Sequence, residues 1–326
     1  MIVLITGGAG YIGSHTVRDL LKKGHGVVVY DSPENGHWES LPKNARLIVG
    51  NLSDTKLLEE IFSWHKFDAV IHFAGYIEAG ESMKDPIKFF NNNVANGINL
   101  LKVMQKHDVK RIIFSSSAGV YGIPEETPIT EESSKKPVNY YGLTKLMFED
   151  ILDACKAQGM KSVCLRYFNA AGAAGDIGED HSPETHLIPL VLQVAQGKKE
   201  SIKIFGTDYN TVDGTCVRDY VHVSDLAKAH MLALEGLMKG KTGKFNVGSG
   251  TGYSVKQVID VAREVTGHKI PVEIAERRPG DPDTLVASSD KFLNEFGWKP
   301  ESDMKEIIES AWQWHSKHPD GYKTKS

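Results

Sequence analysis

The 326-residue sequence has only three cysteines, no block of basic residues and no long apolar run. Cys155, Cys164 and Cys216 are odd in number and widely spaced, so we expect buried thiols rather than a disulfide framework or a paired zinc motif. A net charge of -4 without a basic block argues against a nucleic-acid partner. The apolar runs are far below the roughly 20 residues of a membrane-spanning helix, and no signal-peptide pattern begins the chain. We therefore expect a cytoplasmic protein that does not bind a membrane.

Short β-rich runs alternate with helix-like stretches through the first half of the chain. The runs cover residues 2–6, 27–30, 46–49, 69–73, 111–115 and 162–167, and the helix-like stretches cover 14–23, 55–64, 86–107 and 141–158. This alternation is typical of an α/β fold, a doubly wound parallel sheet of the Rossmann type.

The alternation stops near Asn169, where a Gly-rich polar stretch at 171–184 predicts a long functional loop. We expect a Rossmann domain at 1–168, with 218–247 returning to it. Residues 169–217 and 248–326 are expected to form a smaller α/β substrate-binding lobe.

A glycine-rich loop, Gly7-Gly8-Ala9-Gly10-Tyr11-Ile12-Gly13, follows the first predicted strand and opens the first predicted helix. Glycine permits a tight turn and lets the backbone approach a pyrophosphate at the helix N-terminus. Asp31 lies 18 residues beyond Gly13, where a carboxylate would bind the adenosine ribose and repel a 2′-phosphate. No Arg or Lys follows until Lys43, so the pattern favours NAD over NADP.

Tyr141 and Lys145 are four residues apart on a predicted helix, so both side chains project from the same face. A nearby cation favours the phenolate and would draw the pKa of Tyr141 toward the working pH. The alternative is an ordinary pair on a solvated helix face. Ser115, Ser116 and Ser117 end the fifth predicted strand, at the edge where open α/β sheets bind ligands, and a hydroxyl there could relay a proton.

The glycine spacing and the Asn-Asn-Asn-Val run at residues 91–94 resemble the extended short-chain dehydrogenase/reductase superfamily. Further segments make the chain similar to its UDP-glucose 4-epimerase family: 114–122, 166–170, 204–209, 213–223 and 277–281. The resemblance implies that hydride passes from sugar carbon 4 to tightly bound NAD and returns to the opposite face. It makes Ser117, Tyr141 and Lys145 the catalytic residues, and a homodimer is expected.

The resemblance also implies contacts to both ligands. Beyond the glycine loop and Asp31, the NAD contacts would come from Asn35, Asn51, Leu52, Phe73, Ala74, Gly75, Asn93, Ser115, Tyr141, Lys145 and Tyr167. The UDP-hexose contacts would come from Ser117, Asn169, His186, Leu187, Lys203, Phe205, Arg218, Arg278, Asp281 and Leu285. Two guanidinium groups could clamp a diphosphate, although ion pairing with Asp219 or Asp281 is the alternative for Arg218 and Arg278.

The chain departs from the family pattern at several positions. Asn51 replaces an Asp, Ile77 replaces a Lys near the cofactor phosphates, and His186 replaces an Asn. Leu285 lies where narrow-pocket epimerases have Tyr, which leaves room for an N-acetyl group at carbon 2. Epimerases of UDP-N-acetylglucosamine, UDP-pentoses or UDP-uronates are therefore alternatives.

Two more distant functions are less consistent with the sequence. A nucleotide-sugar 4,6-dehydratase needs an Asp-Glu pair where Ala118-Gly119 stands. A non-catalytic NAD-sensing regulator would typically lack the Tyr141–Lys145 pair. We expect no metal, because His181 and His186 lack the pattern of a zinc helix, and we expect His72 and His222 to be core residues with hydrogen-bond partners.

Overall fold

A computed structural model describes residues 1–32, 34–278 and 280–322 of the chain. The strands are β1 Ile2–Thr6, β2 Gly26–Asp31, β3 Arg46–Val49, β4 Ala69–His72, β5 Arg111–Ser117, β6 Lys161–Tyr167, β7 Asn169–Ala171, β8 Ile202–Phe205, β9 Val217–His222, β10 Gly243–Val247, β11 Gly252–Ser254, β12 Val272–Ala275 and β13 Thr284–Leu285. The helices are α1 Tyr11–Lys22, α2 Thr55–Trp64, α3 Ala79–Lys84, α4 Pro86–Phe89, α5 Asn96–Lys106, α6 Tyr140–Cys155, α7 Leu187–Ala195, α8 Val223–Met238, α9 Val255–Thr266, α10 Asp290–Phe296 and α11 Met304–Lys317.

The chain divides into two compact units. Unit 1 comprises Met1–Gly122, Lys135–Arg166 and Ala227–Phe245, and unit 2 comprises Ile123–Ser134, Tyr167–Leu226 and the chain from Asn246 onward.

Unit 1 is built on a seven-stranded sheet in the order β10-β6-β5-β4-β1-β2-β3. β1 pairs in parallel with both β2 and β4, so the strand order reverses at β1. In open α/β sheets, such a reversal opens a crevice at the carboxyl ends of the two strands on either side of it. The α/β Rossmann fold predicted from the sequence is confirmed.

Hydrophobic strands buried on both faces explain this parallel sheet. β4 is buried at all four positions, and β5 is buried from Ile112 to Ser116. Helices α2, α5 and α6 place their apolar faces on one side of the sheet, where Leu58, Leu100 and Phe148 join a common core. Asp54 accepts a hydrogen bond from the Leu57 amide at 3.0 Å and caps the start of α2.

Unit 2 contains two small sheets. β9 is paired with β7, β11 and β13, and β12 pairs in parallel with β8. Helices α7, α9 and α11 pack against them through a separate hydrophobic core that includes Val191, Ile259 and Ile308.

The observed boundaries of the two units differ from the predicted domain boundaries at two places. β9 lies in unit 2 because its ladder partners are there, whereas most of α8 lies in unit 1. Residues 123–134 also lie in unit 2, because Ile129 exchanges backbone hydrogen bonds with Val286 and Ser288 at 2.7 and 2.8 Å.

The element boundaries are close to those predicted. β1, β3 and α2 match the predicted ranges, and α6 continues as one 3₁₀ turn to Gln158. The prediction of three buried thiols is correct only for Cys164, because Cys155 and Cys216 are only partly buried. Among the residues that the structure describes, every helix is too short or too polar to span a lipid bilayer.

An ion pair is buried at the centre of unit 1. Arg166 of β6 donates to both carboxylate oxygens of Glu149 on α6, at 2.8 and 2.5 Å, and both side chains are almost fully buried. Ser116 of β5 donates to the same carboxylate at 2.6 Å, and Arg166 also donates to the Tyr121 hydroxyl at 2.9 Å. The pair thus joins α6 to two neighbouring strands.

Replacing Arg166 with Met should lower the free energy of unfolding by about 3–5 kcal/mol, because the Glu149 carboxylate loses its bidentate partner inside the protein. Urea denaturation followed by circular dichroism measures this loss. The matched control is Lys106→Met, which removes an exposed ion pair with Glu59 and should cost less than about 1 kcal/mol. Equal losses in the two variants would show that the buried pair has no special structural role.

Candidate active site

The glycine loop between β1 and α1 is so closely packed that side chains do not fit. Gly7 has a φ of +72°, and a Cβ atom there would lie 2.5 Å from the Ala74 amide nitrogen. A Cβ on Gly13 would lie 2.3 Å from the Gly7 carbonyl oxygen. The residue before α1 is Gly10, which has no side chain that could cap the helix, and α1 begins with Tyr11 and Ile12. The amides at this helix N-terminus can therefore bind an anion.

Asp31, at the end of β2, is tied to this loop. Its carboxylate accepts hydrogen bonds from the Ala9 amide at 2.7 Å and the Ser32 amide at 2.8 Å. Burial outweighs these bonds and raises the pKa of Asp31 to about 6. A second carboxylate, Glu34, accepts a hydrogen bond from the Tyr76 hydroxyl at 2.6 Å. Glu34 and Tyr76 were not predicted from the sequence, since no short motif links residues so far apart in the chain.

Other predicted cofactor residues surround the same strand ends. Asn35 is exposed in the turn after β2, and Leu52 is buried. The amide oxygen of Asn51 accepts hydrogen bonds from the Ser53 amide and the Asn96 side chain, at 2.9 and 3.3 Å. Ile77 is exposed in the loop after β4.

The loop after β4 is held by contacts with β1, Asn93 and His230. The amides of Phe73 and Ala74 donate to the Thr6 carbonyl of β1, at 2.9 and 3.1 Å. A Cβ atom on Gly75 would lie only 3.1 Å from the side-chain oxygen of Asn93, so the two residues are closely packed. Phe73 contacts the ring of His230 at a centroid distance of 4.6 Å.

Asn93 lies in a π-helical segment, Phe90–Ala95, between α4 and α5. Its side chain accepts from the Tyr76 amide at 2.8 Å and donates to the Tyr76 carbonyl at 3.0 Å and to the Thr144 hydroxyl at 3.1 Å. Thr144 in turn donates to the Tyr141 carbonyl at 2.7 Å. Asn93 therefore joins the β4 loop to the start of α6, and π segments of this kind are frequent at functional sites.

Ser117 and Tyr141 meet at the end of β5. Ser117 accepts a hydrogen bond from the Gly119 amide at 3.0 Å and so caps the short turn that follows the strand. Tyr141 is the second residue of α6, whose start is capped by Asn139 through the Gly142 amide at 2.8 Å. Burial raises the pKa of Tyr141, while its hydrogen bond with Ser117 acts in the opposite direction.

Lys145 lies one helical turn beyond Tyr141. Its Nζ donates to the Ser115 carbonyl at 2.8 Å and lies 5.7 Å from the centre of the Tyr141 ring. Burial lowers the pKa of Lys145 to about 8. Burial therefore acts against the lowering of the Tyr141 pKa that we expected from the neighbouring ammonium.

The predicted substrate residues lie in unit 2, apart from Ser117. Asn169 of β7 donates to the Asp219 carbonyl of β9 at 2.8 Å. Arg218 forms an ion pair with Asp281 and donates to the Val217 carbonyl at 2.7 Å. The guanidinium of Arg278 lies 4.0 Å from the centre of the Phe205 ring.

The remaining substrate candidates are also placed. Leu285 on β13 is in register with Arg218 on β9. Lys203 is exposed on β8 and lies 3.7 Å from the Glu273 carboxylate. His186 directly precedes α7, and Leu187 is its first residue.

Arg277 and Tyr209 of the same unit were not predicted from the sequence to take part in the site. Arg277 lies 3.7 Å from the centre of the Tyr209 ring, and the Tyr209 hydroxyl donates to Asp281 at 3.4 Å. Asp219 does not pair with Arg218, because its buried carboxylate accepts hydrogen bonds from Ser249 and from the amides of residues 250 and 287.

Tyr167, predicted to contact the cofactor, is buried at the end of β6. The two core histidines have hydrogen-bond partners, as predicted. His72 Nδ1 lies 2.7 Å from the Thr6 hydroxyl, and His222 Nε2 lies 3.0 Å from the Ser310 hydroxyl. Burial lowers the pKa of His72 to about 3, so this ring is neutral.

Known proteins match this chain both as a family and as individual full-length relatives. Residues 3–248 match the model of the NAD dependent epimerase/dehydratase family. The chain is 53% identical to a UDP-glucose 4-epimerase of Halalkalibacterium halodurans, an alignment that covers 100% of this chain and 99% of that protein.

Solved structures give the same result. One is a UDP-glucose 4-epimerase from Bifidobacterium longum in complex with NAD+ and UDP, with a TM-score of 0.93 and 42% identity over 98% of this chain and 100% of that one. Another is the UDP-Glc/GlcNAc 4-epimerase of Campylobacter jejuni, with a TM-score of 0.86 and 41% identity over 97% of this chain and 99% of that one.

Substituting Asn93 by Ala should lower the free energy of unfolding by about 1–3 kcal/mol, because the polar groups of Tyr76 and Thr144 lose a buried partner. Asn99→Ala on α5 is the matched control, since Asn99 makes one long hydrogen bond of 3.3 Å to the Leu52 carbonyl. Urea denaturation should show a clearly smaller loss for Asn99→Ala. A loss as large as that of Asn93→Ala would mean that the link to the β4 loop is unimportant for stability.

Proposed function

The chain belongs to the NAD dependent epimerase/dehydratase family, and we propose that it is a UDP-glucose 4-epimerase that interconverts UDP-glucose and UDP-galactose. The observation that carries the proposal is the group formed by Ser117, Tyr141 and Lys145 at the end of β5, in a chain that matches such epimerases over its whole length.

The residues of unit 1 fit NAD. The glycine loop leaves no room for a Cβ at Gly7 or Gly13, and the uncapped N-terminus of α1 offers amides to a pyrophosphate. Two carboxylates, Asp31 at the end of β2 and Glu34 in the turn that follows, would repel the 2′-phosphate of NADP. When bound, NAD supplies a reversible hydride acceptor for carbon 4 of the sugar.

We assign the proton transfer to Tyr141. As the phenolate it would take the proton of the sugar 4-hydroxyl, directly or through Ser117, and return it when the 4-keto sugar is reduced on its other face. Lys145, held by the Ser115 carbonyl, would supply positive charge beneath the phenol ring. Because burial opposes the phenolate, the oxidised nicotinamide would add the second positive charge that it requires.

The UDP part of the substrate is assigned to unit 2. Arg218 and Arg278 are proposed to bind the diphosphate, and Phe205 with the backbone of Lys203 to bind uracil. Asp281 would then exchange its contact with Arg218 for a ribose hydroxyl. Asn169, His186 and Leu187 are proposed to lie along the diphosphate and sugar.

Individual residues distinguish the proposed epimerase from the alternative functions. A 4,6-dehydratase would need an acid/base pair where Ala118 and Gly119 form a short turn. UDP-N-acetylglucosamine remains the best-supported second substrate, because Leu285 is small and the similar enzyme of Campylobacter jejuni is named for both sugars. A homodimer and a cytoplasmic location remain predictions from the sequence.

Tyr141→Phe should reduce the interconversion of UDP-galactose by roughly 10²–10⁴-fold while leaving NAD and UDP binding nearly unchanged, because only the proton-transfer group is lost. The adjacent Tyr140 is exposed, so Tyr140→Phe makes the same change outside the site and should keep normal turnover. Steady-state kinetics without added reductant measures both. Near-normal turnover by Tyr141→Phe would remove this residue from the mechanism.

The wild type should accept UDP-N-acetylglucosamine, and Leu285→Tyr should reduce kcat/KM for that sugar far more than for UDP-glucose. Overpacking costs about 1–3 kcal/mol, or roughly ten- to a hundredfold. Leu293→Tyr, on the exposed face of α10, is the control for adding an aromatic ring. An unchanged ratio of the two specificity constants in Leu285→Tyr would eliminate Leu285 as the gate.

A further inference from the structure

We propose that Glu179, His181, Glu184 and His186 form a binding site for one divalent transition-metal ion of the zinc type. These residues lie in the segment between β7 and α7 of unit 2. Each directs one ligand atom inward, and the four atoms all lie within 4.8 Å of one another. The site is separate from the residues assigned to NAD and proton transfer. Of its four members only His186 is also among the residues proposed for the substrate, and as a metal ligand its imidazole would not contact the sugar.

The spacing of the donor atoms suits tetrahedral coordination. With metal–ligand bonds of about 2.0–2.2 Å, neighbouring donors of a tetrahedron are about 3.3–3.6 Å apart. Glu179 Oε1 lies 3.3 Å from His181 Nδ1 and 2.9 Å from His186 Nδ1. The Glu184 carboxylate lies 3.1 Å from His186 Nδ1 and 3.9 Å from His181 Nδ1. The other donor pairs lie within 4.8 Å, so binding one ion requires the side chains to close by up to about 1 Å.

The donor types select the class of ion. Two imidazole nitrogens with two carboxylate oxygens are typical ligands of Zn²⁺ and similar transition metals, whereas Ca²⁺ and Mg²⁺ prefer sets made of oxygen alone. Four protein ligands would fill the coordination sphere, as in structural zinc sites. The metal would then hold the loop and the start of α7 rather than take part in catalysis.

The ligands are held in place before any ion binds. The side chains of Glu179 and Glu184 are 5% and 7% exposed. The Glu184 carboxylate also accepts from the amides of Thr185 and His186, at 2.7 and 2.8 Å, which fixes its orientation. His186 is 42% exposed, which gives an ion a path to the cluster.

The start of the same loop is anchored to the end of the chain. The Tyr322 hydroxyl accepts from the Gly178 amide at 2.9 Å, and the Tyr322 amide donates to Asp180 at 2.8 Å. This anchoring reduces the ordering that metal binding would require. Our sequence prediction of no metal considered only the helical spacing of His181 and His186, whereas the two carboxylates come from interleaved positions of a loop.

The test begins with full-length protein stripped by a chelator and then titrated with Zn²⁺ against a chromophoric competitor. We expect one ion per chain, and Co²⁺ should give the intense visible absorption of a tetrahedral site without a thiolate charge-transfer band. Glu179→Gln and His181→Ala should each weaken Zn²⁺ binding at least about tenfold and abolish the rise in Tm that the ion causes in the wild type.

The controls are His268→Ala and Glu264→Gln, which remove an exposed donor of each type elsewhere in unit 2. Both should bind Zn²⁺ like the wild type. The proposal is overturned if the wild type binds no ion more tightly than the competitor, if Co²⁺ shows only the octahedral spectrum, or if a thiolate band appears. Unchanged binding by Glu179→Gln and His181→Ala would overturn it too. The wild-type measurements decide the question even if a variant fails to fold.

Discussion

The register of α6 against β5 is the constraint on which the candidate active site depends. Tyr141, Lys145 and Glu149 form one stripe along α6 at intervals of four residues. They contact, in turn, Ser117, the Ser115 carbonyl and Ser116 at the end of β5. Glu149, which accepts from Ser116, also forms the buried ion pair with Arg166. Separating this pair would leave a charge unpaired inside the protein, so α6 cannot easily shift along β5. A structural ion pair thus helps to fix the position of the Tyr141 phenol two turns away.

Burial shapes the electrostatics of this stripe. It raises the pKa of Tyr141 and lowers that of Lys145 to about 8, so each side chain is biased toward its neutral form in the protein alone. A bound cation shifts this balance toward the phenolate. In the proposed reaction, bound oxidised NAD would supply this positive charge, which suits an enzyme that regenerates the cofactor in every cycle.

Local patterns in the sequence were sufficient for the sheet, the glycine loop and the Tyr141–Lys145 pair, because each depends on residues close together in the chain. Contacts between distant segments were not predictable in this way. Glu34 meets Tyr76, and Ile129 exchanges backbone hydrogen bonds with Val286 and Ser288, more than 150 residues further on. The histidine and carboxylate cluster of the 179–186 loop was missed for a related reason, since a loop has no regular period that would predict which side chains converge.

In the proposed reaction, Tyr141 moves a proton while the hydrogen on carbon 4 leaves and returns within one active site. The most direct measurement is the conversion of UDP-galactose carrying deuterium at carbon 4 by purified protein, with no nicotinamide added. UDP-glucose should form with the deuterium fully retained at carbon 4. Loss of the deuterium to solvent, or a need for added cofactor at stoichiometric levels, would contradict this mechanism.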